Sequence, residues 1–408
     1  MSERRVGLWI IGALGGVGTT VALGLAALRR QLIDGVGLTT ELPLFEGIDL
    51  DAPGAIVVGG HDVRRTGYRE AVRDFQKRSN VFDPDIVDAC LPDLETWQEN
   101  VRPGTVFNTG KTIEGMADLP EVQQLNDPLV AVERIKQDLL DFKARHQLDQ
   151  VVVLNLASTE PPFALKDVHH SLERLTAPTQ CHHHADIIPA SAIYAWAAID
   201  MGWPYINFTP SLGASFPAIQ QLAEERGAVY GGQDGKTGET LMKTVLAPMF
   251  AHRNLRILSW VGHNIFGNRD GKVLDDPKNK ESKVLTKDKV VSSIVGYKPQ
   301  THVSIEYIES LDDWKTAWDH IHFRGFLNTK MMLQFTWQGC DSLLAAPLAI
   351  DLARLALLSQ RRGEVGCLRH LACFFKSPMG TEEHDFFRQF MMLGEYVQSV
   401  REPLESSL

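Results

Sequence analysis

Residues 6–30 read VGLWIIGALGGVGTTVALGLAALRR, and this stretch decides how the chain folds. VGLWII is a continuous apolar run, the pattern of a parallel strand covered on both faces rather than one. VALGLAALRR, rich in alanine and leucine, predicts a helix. Between them lie Gly12, Gly15, Gly16 and Gly18 in the spacing G-x-x-G-G-x-G, one residue away from the usual dinucleotide fingerprint. A strand, a tight glycine turn and a helix N-terminus together allow the backbone to approach a pyrophosphate and meet its charge with amide dipoles. The alternative is a purely structural turn serving strand–helix packing. Read from its first residue, MSERRVGLWIIGALGG also has the outline of a signal peptide. Glycines interrupt its apolar run, no small-residue cleavage site follows, and Arg29-Arg30 soon restores charge. A buried strand in a cytoplasmic protein is the expectation.

Outward from this unit, GAIVVGGHD (54–62) is a second strand, ending at Asp62, which could accept hydrogen bonds from an adenosine ribose. It arrives about forty residues after the glycines instead of about twenty, so an insertion lies between. A helix over Pro128 to His146 precedes a third strand in QVVVLNLASTEPP (150–162), whose end places Asn155, Ser158 and Thr159 on the side of a ligand crevice. WPYINFTPS reads as another strand and loop, and FPAIQQLAEERG as a helix closed by Gly227. In VYGGQDGKTGETLMKTVLAPMF, Lys236, Thr237 and Thr240 converge at a helix N-terminus suited to an anion. It nearly imitates a P-loop, but Tyr230 stands where that motif needs glycine.

Beyond residue 250 the pattern changes. LRILSWVGHNIFGN, THVSIEYIES and TKMMLQFTWQG read as strands and LDDWKTAWDHIHF as a helix, suggesting a second sheet packed differently from the first. CDSLLAAPLAIDLARLALLSQRRG returns to an apolar helix, and LRHLACFFKSPMG places Lys376 at the end of an apolar segment, where partial burial suits a proton carrier.

Composition bounds the function. With 408 residues and 44% hydrophobic content the chain can bury a large core in two units. A net charge of -10 argues against nucleic acid or an anionic membrane as a partner, so an anionic ligand needs a locally basic site. No apolar stretch reads as a membrane span. Five cysteines without C-x-x-C spacing fit reduced thiols. Against this acidic background, residues 267–289, GNRDGKVLDDPKNKESKVLTKDK, gather Lys272, Lys278, Lys280, Lys283, Lys287 and Lys289.

VVVLNLASTE, PASAIYAWAAIDMGWPYINFTPS, GGQDGKTGETLMKTVLAP, GHNIFGNRDG, PKNKESK, CDSLLAAPLAIDL and FFKSP, in this order, resemble the myo-inositol-1-phosphate synthase family nearly end to end. The resemblance implies an α/β fold in which a discontinuous Rossmann-type NAD-binding domain, residues 1–240 and 341–408, holds an inserted α+β catalytic and tetramerisation domain, residues 241–340. It implies a cytoplasmic homotetramer that uses NAD to turn glucose 6-phosphate into an inositol phosphate through oxidation at C5, enolisation, aldol closure and reduction. Carried over by motif, Lys278, Lys376, Lys283, Asp234, Asp341 and Asn268 are catalytic. Gly12, Gly15, Gly16, Val17, Gly18, Asp62, Asn155, Ser158, Thr159, Asp270 and Asp341 are cofactor-side. Asn264 belongs to the stretch joining cofactor to substrate, and Thr237, Gly238, Thr240 and Lys283 would cradle the phosphate. Lys272, Lys280, Lys287 and Lys289 have no matched role and read as solvated surface.

Three features depart from the family pattern. Glu306 stands where many members carry a lysine near the substrate, with Lys287 or Lys315 as a neighbour able to compensate. NFTPSLGASF differs from the usual polar loop, and GALGGVGTT lacks paired asparagines. These leave room for another sugar phosphate, a net dehydrogenase or a non-catalytic NAD-binding regulator. CHHHAD (181–186) and His169-His170 invite a metal reading, but three consecutive histidines point in different directions in a regular helix or strand, so no metal site is assigned.

Overall fold

A computed structural model describes residues 4–125, 127–176, 187–268, 271 and 290–401. The lysines Lys272 to Lys289, Asp270 and the histidine run His182 to His184 lie outside the described residues.

Six strands precede the pattern change: β1 (Val6–Ile11), β2 (Ile56–Asp62), β3 (Val101–Pro103), β4 (Gln150–Asn155), β5 (Tyr205–Asn207) and β6 (Val229–Gly232). β7 (Arg256–Phe266), β8 (Gln300–Tyr307), β9 (Trp314–Arg324), β10 (Lys330–Cys340) and β11 (Gly366–Cys367) follow. One sheet has the order β11-β6-β5-β4-β1-β2-β3, with every neighbouring pair parallel. After β3 the chain crosses back to the other side of β1, so β1 and β4 flank a switch point, where such sheets open a ligand crevice at their carboxyl ends.

The longer helices are α1 (Gly16–Arg29), α2 (Tyr68–Ser79), α3 (Pro84–Gln98), α4 (Pro128–His146), α5 (Ala190–Asp200), α6 (Pro217–Arg226), α7 (Glu239–His252), α8 (Asp341–Arg361) and α9 (Phe386–Arg401). Why β1 is apolar throughout is now plain. Leu8 and Ile10 join a core with α1, α3 and α8, whereas Trp9 and Ile11 join a second core with α4, α5 and α6. A strand covered on both faces has no polar side to alternate with. Asp127 caps α4 by accepting from the N–H of Leu129 at 2.9 Å, and Gln147 in the left-handed region ends it, giving the boundaries its sequence predicts.

Residues between α1 and β2 form short 3-10 turns tied to α8. Asp351 accepts from the N–H groups of Thr39 and Thr40 at 2.6 and 3.1 Å. α8 itself is long and apolar enough to satisfy the length and composition of a membrane span, which the sequence reading overlooked. Its residues from Ala349 to Ser359 are buried, so here it is a core helix.

The second sheet has the order β10-β9-β7-β8. β9 pairs antiparallel with both β10 and β7, and β7 pairs parallel with β8. This overturns the helix expected over LDDWKTAWDHIHF. Trp314, Ala317, Trp318 and Ile321 imitate a helical stripe, but Trp314 and Trp318 are exposed. The buried positions Ala317, Asp319 and Ile321 follow the two-residue period of a strand.

Candidate active site

A cavity of about 520 Å3 opens at the carboxyl ends of β1 and β4 and extends toward the second sheet. Its cofactor end is built by the glycine turn. Gly12 has φ +81°, and a Cβ there would sit 2.9 Å from the Ala157 Cα, so the turn touches the loop after β4 and requires glycine. Gly18 lies one layer deeper and does not line the cavity. A Cβ on it would meet the Gly12 carbonyl at 2.5 Å, so it lets α1 start directly beneath the turn. Gly15 is the N-cap of α1 and provides no side-chain cap, and no acidic residue occupies the first turn. The first amides of the helix therefore present an uncontested positive end to the cavity, as a dinucleotide phosphate requires.

Asp62, 5% exposed, performs a task its position in sequence did not announce. Its carboxylate accepts from the N–H groups of Leu14 at 2.8 Å, Val63 at 2.9 Å and Arg64 at 3.1 Å, so it fixes the glycine turn against the end of β2. Asn155 is buried and holds the N–H of Ala157 through its Oδ1 at 3.2 Å, while Ser158 and Thr159 line the wall. Glu160, missed by the sequence reading, knots this wall together. It accepts from the Ser191 N–H at 2.7 Å and the Ser191 hydroxyl at 2.5 Å, replacing the cap that Pro189 cannot provide for α5. Burial pushes its carboxyl up to about 7.

The other end of the cavity holds lysine–aspartate pairs. Residues 233–236 and 374–377 run antiparallel through four backbone hydrogen bonds, including Lys376 N–H to Asp234 carbonyl at 2.7 Å and Gln233 N–H to Ser377 carbonyl at 3.0 Å. This ladder brings together side chains 142 residues apart, and Lys376 Nζ donates to Asp234 Oδ1 at 2.9 Å. Asp234 Oδ2 is buried and has no partner among the described residues. Opposite, Lys315 Nζ lies 3.7 Å from Asp341 Oδ2, and the Thr237 hydroxyl donates to Asp341 Oδ1 at 3.2 Å. Lys315 sits over the Phe266 ring at 5.0 Å, held by β9. It lines the cavity, whereas Glu306 is an exposed residue of β8 outside it. Of the two lysines able to compensate, Lys315 lines the cavity and Lys287 lies outside the described residues.

Asn268 also lines the cavity and donates to Asp313 Oδ1 at 3.0 Å. Asp313 was not foreseen, because no local motif marks it. It accepts from the Cys340 thiol at 2.8 Å, the Ser342 N–H at 2.7 Å and the Ser342 hydroxyl at 2.9 Å, joining β9 to the start of α8. Burial first, then the neighbouring Asp341 charge, raises its pKa.

The anion site expected around Lys236 is arranged differently. Lys236 turns away from the cavity, and its Nζ donates to Gln389 Oε1 of α9 at 2.5 Å and stands 5.4 Å from the Phe386 ring. Burial pulls it down to about 8. Thr237 faces the cavity; Gly238 caps α7, and Thr240 is buried behind it with its hydroxyl unpartnered among the described residues. Asn264 is buried in β7, donating to Glu239 Oε2 at 2.7 Å, and does not line the cavity. Lys278, Lys283 and Asp270 lie outside the described residues, as do Lys272, Lys280, Lys287 and Lys289.

Comparison with known proteins agrees with this architecture. A family model described as myo-inositol-1-phosphate synthase, of the NAD-binding type, matches residues 38–398. An inositol-3-phosphate synthase of Bacteroides thetaiotaomicron is 32% identical over 424 aligned positions, covering 97% of this chain and 95% of that protein. One from Dictyostelium discoideum is 30% identical, covering 88% and 75%. The crystal structure of inositol-3-phosphate synthase from Caenorhabditis elegans superposes with a TM-score of 0.84 at 25% identity, covering 98% of this chain and 86% of that one.

Proposed function

The chain belongs to the myo-inositol-1-phosphate synthase family, and from that premise we propose that it converts glucose 6-phosphate into an inositol phosphate, 1L-myo-inositol 1-phosphate, with NAD as a catalyst restored in each turnover. The observation that carries this reading is one cavity with a glycine turn at one end and the Lys376–Asp234 and Lys315–Asp341 pairs at the other. Bound NAD supplies a hydride acceptor and then a donor at C5 of the sugar. The chain's own residues supply proton transfer and charge. Lys376, with a side chain 14% exposed, is held by Asp234 where it can pass a proton to or from a sugar oxygen. Lys315 and Asp341 offer a second such pair, and both ammonium groups stabilise alkoxide and enolate oxygens. Positioned acids of this kind contribute roughly 10²–10⁴-fold.

Thr237 at the start of α7 would bind the phosphate, with Gly238 and the buried Thr240 assigned by motif alone, and Asn268 would bridge cofactor and substrate. Gly12, Gly15, Gly16, Val17 and Gly18 would form the pyrophosphate turn, with Asp62, Asn155, Ser158 and Thr159 along the cofactor. Lys278, Lys283 and Asp270 are assigned by motif alone. The division into a dinucleotide domain (1–240 and 341–408) and an inserted catalytic domain (241–340) is supported by β11 returning to the parallel sheet beside β6. Phe326, 87% exposed, and Leu327, 81% exposed, at the β9–β10 turn support a homotetramer. The reading places the enzyme in the cytoplasm, feeding inositol and phospholipid biosynthesis.

Glucose 6-phosphate carrying deuterium at C5 tests the chemistry. The label should be retained in the inositol phosphate, because the same cofactor molecule removes and returns it. Product formed with loss of the label to water or to free NADH would contradict the cycle.

A further inference from the structure

Outside the residues assigned above, two segments meet across the glycine turn. The last turn of α2 carries Arg78 and Ser79, and the turn leading into β9 carries Asp312 and Asp313, with Trp314 as the first residue of the strand. Arg78 Nε donates to Asp312 Oδ1 at 2.7 Å across 234 residues of sequence. Trp314 Nε1 donates to the Ser79 carbonyl at 2.9 Å. Phe75, Arg78 and Ser79 line the cavity from one side and Asp312 and Asp313 from the other, with Gly16 of the glycine turn between them.

The contact is built rather than incidental. Asp312 adopts φ +48°, a conformation uncommon outside glycine, asparagine and aspartate, and its carbonyl accepts from the Gly267 N–H at 2.9 Å. A Cβ on Gly267 would stand 2.2 Å from the Ile308 carbonyl, so the end of β7 can lie against this turn only as glycine. The Arg78–Asp312 pair is partly exposed, with side chains 39% and 21% accessible, and a pair of that kind adds little to stability. Its significance lies in its place. It bridges the parallel sheet's half of the molecule and the second sheet directly over the cofactor end of the cavity.

We propose that Arg78, Ser79, Asp312 and Trp314 form a clasp that retains the dinucleotide through the catalytic cycle. The inference rests on the redox-neutral reading above. An enzyme that must return the hydride it has taken fails if the reduced cofactor leaves midway, so a contact that slows release has a defined use. These are positioning residues, since nothing in the arrangement gives them a role at the reacting carbons.

The test is cofactor release. Holoenzyme loaded with NADH is mixed with excess NAD, and the loss of bound NADH fluorescence gives the dissociation rate. Arg78→Gln combined with Trp314→Phe should speed release about tenfold, the effect of losing one charge-assisted and one neutral hydrogen bond. Each single variant should accelerate it about threefold, and Arg78→Lys should restore a rate near that of the unaltered protein. During turnover the double variant should release free NADH together with an equal amount of oxidised sugar phosphate, at the expense of inositol phosphate. Unchanged release in the folded single and double variants would overturn the clasp alone, provided the unaltered protein cycles glucose 6-phosphate with catalytic NAD. Failure of the unaltered protein to bind NADH would overturn both the clasp and the functional reading.

Discussion

The two sheets of this molecule solve the burial problem in opposite ways. The parallel sheet is covered on both faces, each by a large apolar cluster. The four-stranded sheet packs one face on a small core around Phe250, Trp260 and Ile321, while among the described residues Trp318 of β9 and Met332 of β10 stay exposed on the other. Its interior also holds a compact polar network. Lys243 and Glu239 pair at 2.7 Å with side chains 3% and 1% exposed, Asn264 donates to Glu239 at 2.7 Å, and the Trp260 indole donates to Asp319 at 2.6 Å. Such a network contributes fixed geometry more than stability, because the desolvation of each charge offsets much of its attraction. The first sheet makes a self-sufficient platform for a cofactor. The second holds polar groups in place beside the cavity and, among the described residues, keeps apolar side chains exposed.

The largest effect should come from the Lys376–Asp234 pair at the far end of the cavity from the glycine turn. Lys376→Ala should lower kcat by about 10²–10⁴-fold with NAD still bound, and a smaller loss should follow Asp234→Asn; steady-state kinetics beside cofactor titration checks both. If NAD binding were lost as well, the division between platform and chemistry would be wrong.

Next comes the platform itself. Gly18→Ala forces a Cβ to within 2.5 Å of the Gly12 carbonyl. It should cost about 1–3 kcal/mol in urea unfolding and weaken NAD binding at least about tenfold.

A subtler effect concerns Lys236, whose folded pKa is depressed to about 8 by burial. Below that pH the lysine is charged in both states and its burial costs most. Above it, the folded protein has lost a proton that the unfolded chain keeps, so stability rises with pH at about 1.4 kcal/mol per unit until the ordinary lysine range is reached. Urea unfolding at pH 8 and pH 9.5 should show this rise in the unaltered protein and lack it in Lys236→Met.

The smallest effect on the single chain belongs to the exposed β9–β10 turn. Phe326→Asp should leave NAD binding and thermal stability nearly unchanged while reducing the sedimentation coefficient. An unaltered coefficient would remove that turn from any assembly.

How much of this was legible beforehand follows the same divide. In the platform, period and punctuation were enough: β1, the glycine turn, and α4 with its Asp127 cap all appear where local chemistry puts them. In the second sheet, β9 was misread because Trp314, Ala317, Trp318 and Ile321 satisfy a helical spacing that pairing with β7 and β10 overrides. Lys236 was misread for a related reason, since its partner Gln389 lies 153 residues away on α9. Asp234 and Lys376 were named through motif resemblance, and only the ladder between residues 233–236 and 374–377 explains why they meet. Asp313 and Glu160 bind backbone amides from distant segments, and no local pattern announces that.

The most direct test of the account is to incubate the purified protein with glucose 6-phosphate and substoichiometric NAD, following products by phosphorus NMR and the cofactor by absorbance together. Inositol phosphate in excess over NAD, with no lasting NADH, is the predicted result. NADH accumulating in step with an oxidised sugar, or NAD bound without any inositol phosphate formed, would contradict it.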